Sequence, residues 1–135
     1  MFDNATKLTR GAGTDVPTAI IDGPTNGRTM RSSADGTVQL SIAHNESNEN
    51  PGFVTQRINV RVNQDFVLDD TDKTVKAYAQ LTISSPKGAV TAAEAADIVA
   101  MLINFVTLGE NSAGNTSVDN TNMPITVARL LAGEP

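Results

Sequence analysis

A chain of 135 residues suits one domain and can bury roughly two-thirds of its unfolded surface. Only 4% of it is aromatic and tryptophan is absent, so a lone copy has a thin core and gains from oligomerisation. The lack of cysteine excludes disulfides, thiolate catalysis and cysteine metal sites. No run approaches the roughly 20 apolar residues of a membrane span, and MFDNATKLTR has no signal-peptide pattern. A soluble, intracellular protein without a membrane partner is expected. The glycosylation-type triplets at Asn4, Asn45 and Asn115 are read as chance.

Residues 1–34 read as short strands over Ala5–Arg10, Asp15–Ile21 and Gly27–Ser33. Gly11-Ala12-Gly13, Gly23-Pro24 and Asn26-Gly27 punctuate them. Residues 35–84 hold the main strands. Asp35-Gly36 opens Thr37–Ala43, where Val38, Leu40 and Ile42 alternate with Gln39, Ser41 and Ala43. A polar loop, His44–Gly52, leads to Phe53–Asn63, where Ile58, Val60 and Val62 alternate with Arg57, Asn59 and Arg61. The acidic loop Gln64–Lys73 carries a Phe66-Val67-Leu68 patch. In Val75–Ser84, Ala77, Ala79, Leu81 and Ile83 oppose Lys76, Tyr78, Gln80, Thr82 and Ser84.

Residues 85–135 change character. Ser85-Pro86-Lys87-Gly88 breaks the strand, because Pro donates no ladder hydrogen bond and Gly permits a sharp reversal. Thr91 and Glu94 form a capping box. The helix that follows, roughly 27 Å long, carries Ala95, Ile98, Val99, Leu102, Phe105 and Val106 on one stripe and stops at Gly109. After a polar linker, Glu110–Thr121, a short helix is expected, capped by Asn122, with Pro124 in its first turn and Val127, Leu130 and Leu131 as its apolar surface.

Strands first and helices last, joined by short turns, define an α+β chain: an antiparallel sheet of about six or seven strands with two C-terminal helices on one face. The net charge of −5 argues against a nucleic-acid partner until the charges are placed. The acids fall mostly in expected turns, whereas the main strands hold Arg57, Arg61 and Lys76 and no acid. His44 has no catalytic motif around it. Asp69, Asp70 and Asp72 lack the Gly and final Glu of a calcium loop, and Gly11 and Gly13 lack a phosphate-loop lysine. No cofactor, metal or catalytic residue is expected.

The stretch Ala77-Tyr78-Ala79-Gln80-Leu81-Thr82, with Pro86 to Leu108 after it, resembles the last strand and first helix of single-stranded RNA bacteriophage (levivirus-type) coat proteins. Gln56-Arg57-Ile58-Asn59-Val60-Arg61-Val62 is similar to that family's basic strand, and Gln39-Leu40-Ser41-Ile42 to the strand before it. The resemblance implies an intertwined homodimer with a continuous sheet, assembly into an icosahedral shell in the host bacterium's cytoplasm, and location in the virion. It also implies packaging of genomic single-stranded RNA and binding of an RNA hairpin as translational repressor. By position, Tyr78 matches the tyrosine that stacks on a base. Gln80, Lys76, Arg57, Asn59, Arg61, Ser41 and Gln39 lie on the RNA side, and Ile98, Leu102 and Phe105 become a core shared across the dimer. Gln39, Arg57 and Asn59 depart from the family pattern, which bears on which hairpin is bound.

Read without the resemblance, Tyr78 is better taken as an exposed tyrosine favoured by strand propensity, and the three cations as a solvated face. Two other functions compete. One is a small α+β ligand-binding protein or enzyme with a pocket between sheet and helix. The other is a shell or pilus subunit that assembles without RNA.

Overall fold

Period-two alternation carries the chain into strands as far as Pro86, and the strands run longer than the alternation alone predicts. The computed structural model describes residues 5–9, 14–25, 27–50, 52–108 and 123–133. Six strands, β1 (Ala5–Thr9), β2 (Asp15–Thr25), β3 (Arg28–Ser32), β4 (Val38–Asn50), β5 (Phe53–Val67) and β6 (Thr74–Pro86), pair in chain order, each antiparallel to the next. Two helices follow, α1 (Ala92–Leu108) and α2 (Met123–Leu131). The architecture is α+β. Residues 1–89 form one unit, the sheet, and residues 90–135 a second, in which α1 and α2 touch.

Residues directly opposite in an antiparallel ladder share a face, so the register sorts the side chains. Leu40–Val62–Ala79 and Ile42–Val60–Leu81 are rows on one face, extended by Ile58 opposite Ile83. This is the apolar face expected from the alternation. It is deepest near β3 and β4, where Val38 is 4% exposed and Leu40 6%, the buried apolar core among the described residues. Arg31 is also buried there, opposite Ile20 on one side and Leu40 on the other.

Several expected boundaries move. His44–Gly52 is not a loop through most of its length. β4 continues to Asn50, pairing His44 with Ile58, Asn45 with Arg57, Glu46 with Gln56 and Ser47 with Thr55. This end of β4 forms a ribbon with β5, which is itself flanked by β6 as far as Thr55 opposite Pro86, so backbone pairing holds it without apolar alternation. Lys87 Nζ, 2.6 Å from Glu46 Oε1, and the Lys87 N–H donating to Val54 O at 2.8 Å tie that ribbon to the end of β6. Gln64–Lys73 shortens likewise, since β5 runs to Val67 and only residues 68–73 turn. Asp72 closes that turn with φ 51, a conformation Asp tolerates better than most residues. Gly23-Pro24 does not end a strand but lies within β2, where the register slips between Ile20 and Asp22 and again before Thr25. β6 reaches Pro86, opposite Thr55, before Gly88 turns the chain at φ 80. The acids are not confined to turns: Asp22, Glu46, Glu49 and Asp65 lie in strands.

The capping box forms as read. The Glu94 N–H donates to Thr91 Oγ1 at 3.3 Å, while the Thr91 N–H and hydroxyl both donate to Glu94 Oε2 at 2.8 Å. These bonds hold the Glu94 carboxyl below its ordinary value, the backbone bond from Thr91 contributing most. Ile98, Leu102 and Phe105 share one side of α1 with Met101, and all four are exposed in the chain. Ala95, Val99 and Val106 lie alongside them, half-buried. In α2, Pro124 occupies the first turn as expected, and Val127, Leu130 and Leu131 are exposed. The Gly11-Ala12-Gly13 turn, the Gly109 stop, the 110–121 linker and the Asn122 cap lie outside the described residues.

Candidate nucleic-acid interface

The face opposite the apolar one collects the predicted polar residues. Across β4, β5 and β6 its rows are Gln39–Asn63–Tyr78, Ser41–Arg61–Gln80, Ala43–Asn59–Thr82 and Asn45–Arg57–Ser84. Lys76, opposite Asp65, extends the face towards the 68–73 turn. Gln39, Ser41, Arg57, Asn59, Arg61, Lys76, Tyr78 and Gln80 therefore lie on one surface. That follows from the period of two once the register is fixed.

The contacts among them are specific. The Arg61 guanidinium carbon lies 3.7 Å from the Tyr78 ring centroid, a cation–π pair made along the diagonal of the ladder. The Arg61 Nε–H donates to Asn63 Oδ1 at 2.7 Å. Tyr78 stays 59% exposed although Arg61 lies over its ring. Asn59 Nδ2 donates to Thr82 Oγ1 at 2.8 Å, so that amide is partly engaged within the sheet. Ser41 is 8% exposed, and of the polar positions on β4 it is the least open to a ligand from solution.

The charge pattern departs from the expectation. Because β5 continues past Asn63, Asp65 Oδ1 lies 3.8 Å from Lys76 Nζ on this same face. Lys76 is exposed and Asp65 half-buried, so the pair is weak, but it offsets the local field of Lys76. Arg57 and Arg61 supply the acid-free part of the face. Asn63, Asp65 and Thr82 are the participants that sequence reasoning did not assign. A hairpin folded about the middle of residues 68–73 sets residue 63 opposite residue 78, and that symmetry was the signal available for them.

Elsewhere the chemistry is sparse. His44 is exposed, in β4 rather than in a loop, and its N–H donates to the Gly27 carbonyl at 2.8 Å. Asp69, Asp70 and Asp72 are exposed in or beside the turn that ends at Lys73. An open cavity of about 420 Å³ lies between the start of β2 and the β3–β4 turn, lined in part by Asp15, Val16, Pro17, Ser33, Asp35 and Val38. Its Asp35 accepts bonds from the Ser33 hydroxyl at 2.6 Å, the Thr37 N–H at 3.1 Å and the Thr37 hydroxyl at 2.9 Å. These, the Ser33 bond foremost, hold the carboxyl below its ordinary value. An acid kept ionised in this way braces a turn and is poorly suited to donate a proton.

A six-stranded antiparallel meander followed by two helices is the fold of RNA-bacteriophage coat proteins, and this chain has it. No protein-family model matches the sequence, and a search of curated proteins finds no significant match. Solved structures carry the likeness. The coat protein of bacteriophage EMS014 is 15% identical, with a TM-score of 0.67 over 98% of this chain and 96% of that one. The bacteriophage GA capsid protein is 15% identical, with a TM-score of 0.56 over 98% and 95%. An unassembled virus coat-protein dimer, described as a bacteriophage RNA-binding dimer, is 14% identical, with a TM-score of 0.52 over 84% and 87%.

Proposed function

We infer that this chain is a structural coat protein rather than an enzyme. It pairs with a second copy, assembles into an icosahedral shell inside the bacterial host, and encloses single-stranded RNA against the polar face of its sheet. The observation that carries this reading is the state of β6, a thirteen-residue edge strand whose residues 74–80 are all exposed. No described strand pairs with its outer edge, whose backbone donors and acceptors make a template for another strand. α1 adds the exposed apolar strip Ile98, Met101, Leu102 and Phe105. A second copy satisfies both needs at once, by continuing the sheet and by covering the strip. Ile98, Leu102 and Phe105 then become the shared core.

On the polar face, Arg57, Arg61 and Lys76 neutralise phosphates, and a dimer doubles them to about six cations. Tyr78 stacks on an unpaired base, while Gln39, Asn59 and Gln80 offer hydrogen bonds. The unusual residues at 39, 57 and 59 set which RNA hairpin is preferred for repression and packaging.

The test is size-exclusion chromatography of the purified protein with absorbance at 260 and 280 nm, and negative-stain microscopy of the leading peak. Regular shells with a nucleic-acid spectrum are expected. Empty shells would remove the RNA role of the polar face and leave assembly. A small species alone, across salt and pH, would overturn the coat-protein reading. Replacing Arg57 and Arg61 together with Ser is expected to lower the RNA content of the shells and flatten the salt dependence of binding.

A further inference from the structure

Three neighbouring side chains on the polar face lock one another. Asn63, in the middle of the ladder, accepts the Arg61 Nε–H at 2.7 Å, and Arg61 lies 3.7 Å over the ring of Tyr78, the residue directly opposite Asn63. An arginine on an open sheet would otherwise sample many rotamers, and ordering it on binding has an entropic cost. Here one hydrogen bond fixes the guanidinium plane beforehand. The Nη groups remain to meet an anion, and one face of the ring is covered.

We propose that Asn63 is a positioning residue for RNA recognition: it holds Arg61 as a fixed lid on one face of Tyr78. This rests on reading the polar face as an RNA interface. A base then stacks on the other ring face only, and the Nη groups of the same Arg61 bind a neighbouring phosphate. Asn63 touches neither base nor phosphate. The unit recognises a single unpaired nucleotide with its backbone and leaves no room for a ring sandwiched between two bases.

Tyr78 is the only tyrosine and there is no tryptophan, so tyrosine emission reports on this one ring. The first measurement needs no RNA: acrylamide quenching of the full chain, freed of nucleic acid. Asn63→Ala is expected to raise the quenching constant about twofold, as a second ring face opens. Asn63→Asp keeps an acceptor for Nε and is expected to stay at the wild-type value. Equal quenching in wild type and Asn63→Ala would overturn the lid.

The second measurement titrates hexaadenylate at several salt concentrations. Wild type is expected to bind with loss of Tyr78 emission, and Asn63→Ala to bind about threefold to tenfold more weakly, the range of one hydrogen bond. The slope of log affinity against log salt should not change in Asn63→Ala, whereas Arg61→Ala should lower it by about 1. A slope lowered equally by Asn63→Ala would mean that Asn63 meets the phosphate itself, and would refute the positioning role. A wild type that binds while Asn63→Ala matches it overturns that role alone. A wild type that binds no RNA overturns the interface and this role together.

Discussion

The centre of the sheet and its β6 edge contrast. At the β3–β4 side, Val38, Leu40, Thr18 and Arg31 are buried, and the chain supplies its own covering. At the β6 edge every residue from 74 to 80 is exposed; in the second unit, the apolar strip of α1 is exposed as well. The same alternation built both regions, but the central strands are paired on two sides and β6 with β5 alone among the described residues. What differs is whether this chain completes the surroundings. The centre serves the stability of the single chain, and in the proposed reading the edge serves association.

Substitutions among buried and among exposed apolar residues should therefore fail in different ways. The largest effect is expected from Leu102→Asp, which sets a charge in the proposed shared core and should abolish assembly. Because Leu102 is exposed in the chain, the circular dichroism of the fold should survive while the particle peak vanishes from size exclusion. Assembled Leu102→Asp shells would show that α1 does not form the contact. Next comes Leu40→Ala, expected to cost about 2–5 kcal/mol in urea unfolding as a buried-side-chain deletion. A loss well below that would mean the β4 side is no more self-sufficient than β6. Tyr78→Ala should leave stability within about 0.5 kcal/mol and weaken RNA binding by about 1–3 kcal/mol, with shells intact. Unchanged affinity would remove the stacking role.

The smallest effect belongs to a helix end that serves neither side. Thr91→Ala should cost about 1 kcal/mol by removing the α1 cap. The folded Glu94 carboxyl titrates below its ordinary 4.5, so its contribution is fully present above that value and is lost as pH falls through the lower folded one. In Thr91→Ala the hydroxyl's share of this acid-dependent stability should be lost while the share from the backbone N–H of residue 91 remains, so urea midpoints measured from neutral to acid pH should fall less steeply than in wild type.

Much of this was legible because it is local. Thr91 and Glu94 signal a helix start three residues apart, and Ala77 to Ser84 display their two faces by alternation alone. The polar face could be read strand by strand for the same reason. What escaped depends on pairing. HNESNEN carries no apolar rhythm, so its composition reads as loop, although its backbone is held by β5. Ending β5 at Asn63 hid Asp65 and with it the weak neutralisation of Lys76. The Arg61–Tyr78 stack joins residues of two strands along a diagonal, and no pattern within either strand contains it.

The unequal lengths of the two sheet edges also limit stoichiometry. β1 offers five residues, with Lys7 among them, whereas β6 offers thirteen. Joining β1 of one copy to β6 of the next would be head-to-tail, a linkage that repeats without end and yields fibres. The short, charged edge gives such growth little to hold. Two β6 edges match in length, and an antiparallel join between them is two-fold, so each consumes the one long edge that the other has among the described residues. Polymerisation through the sheet then arrests at a pair, and any larger particle must grow through surfaces other than strand edges.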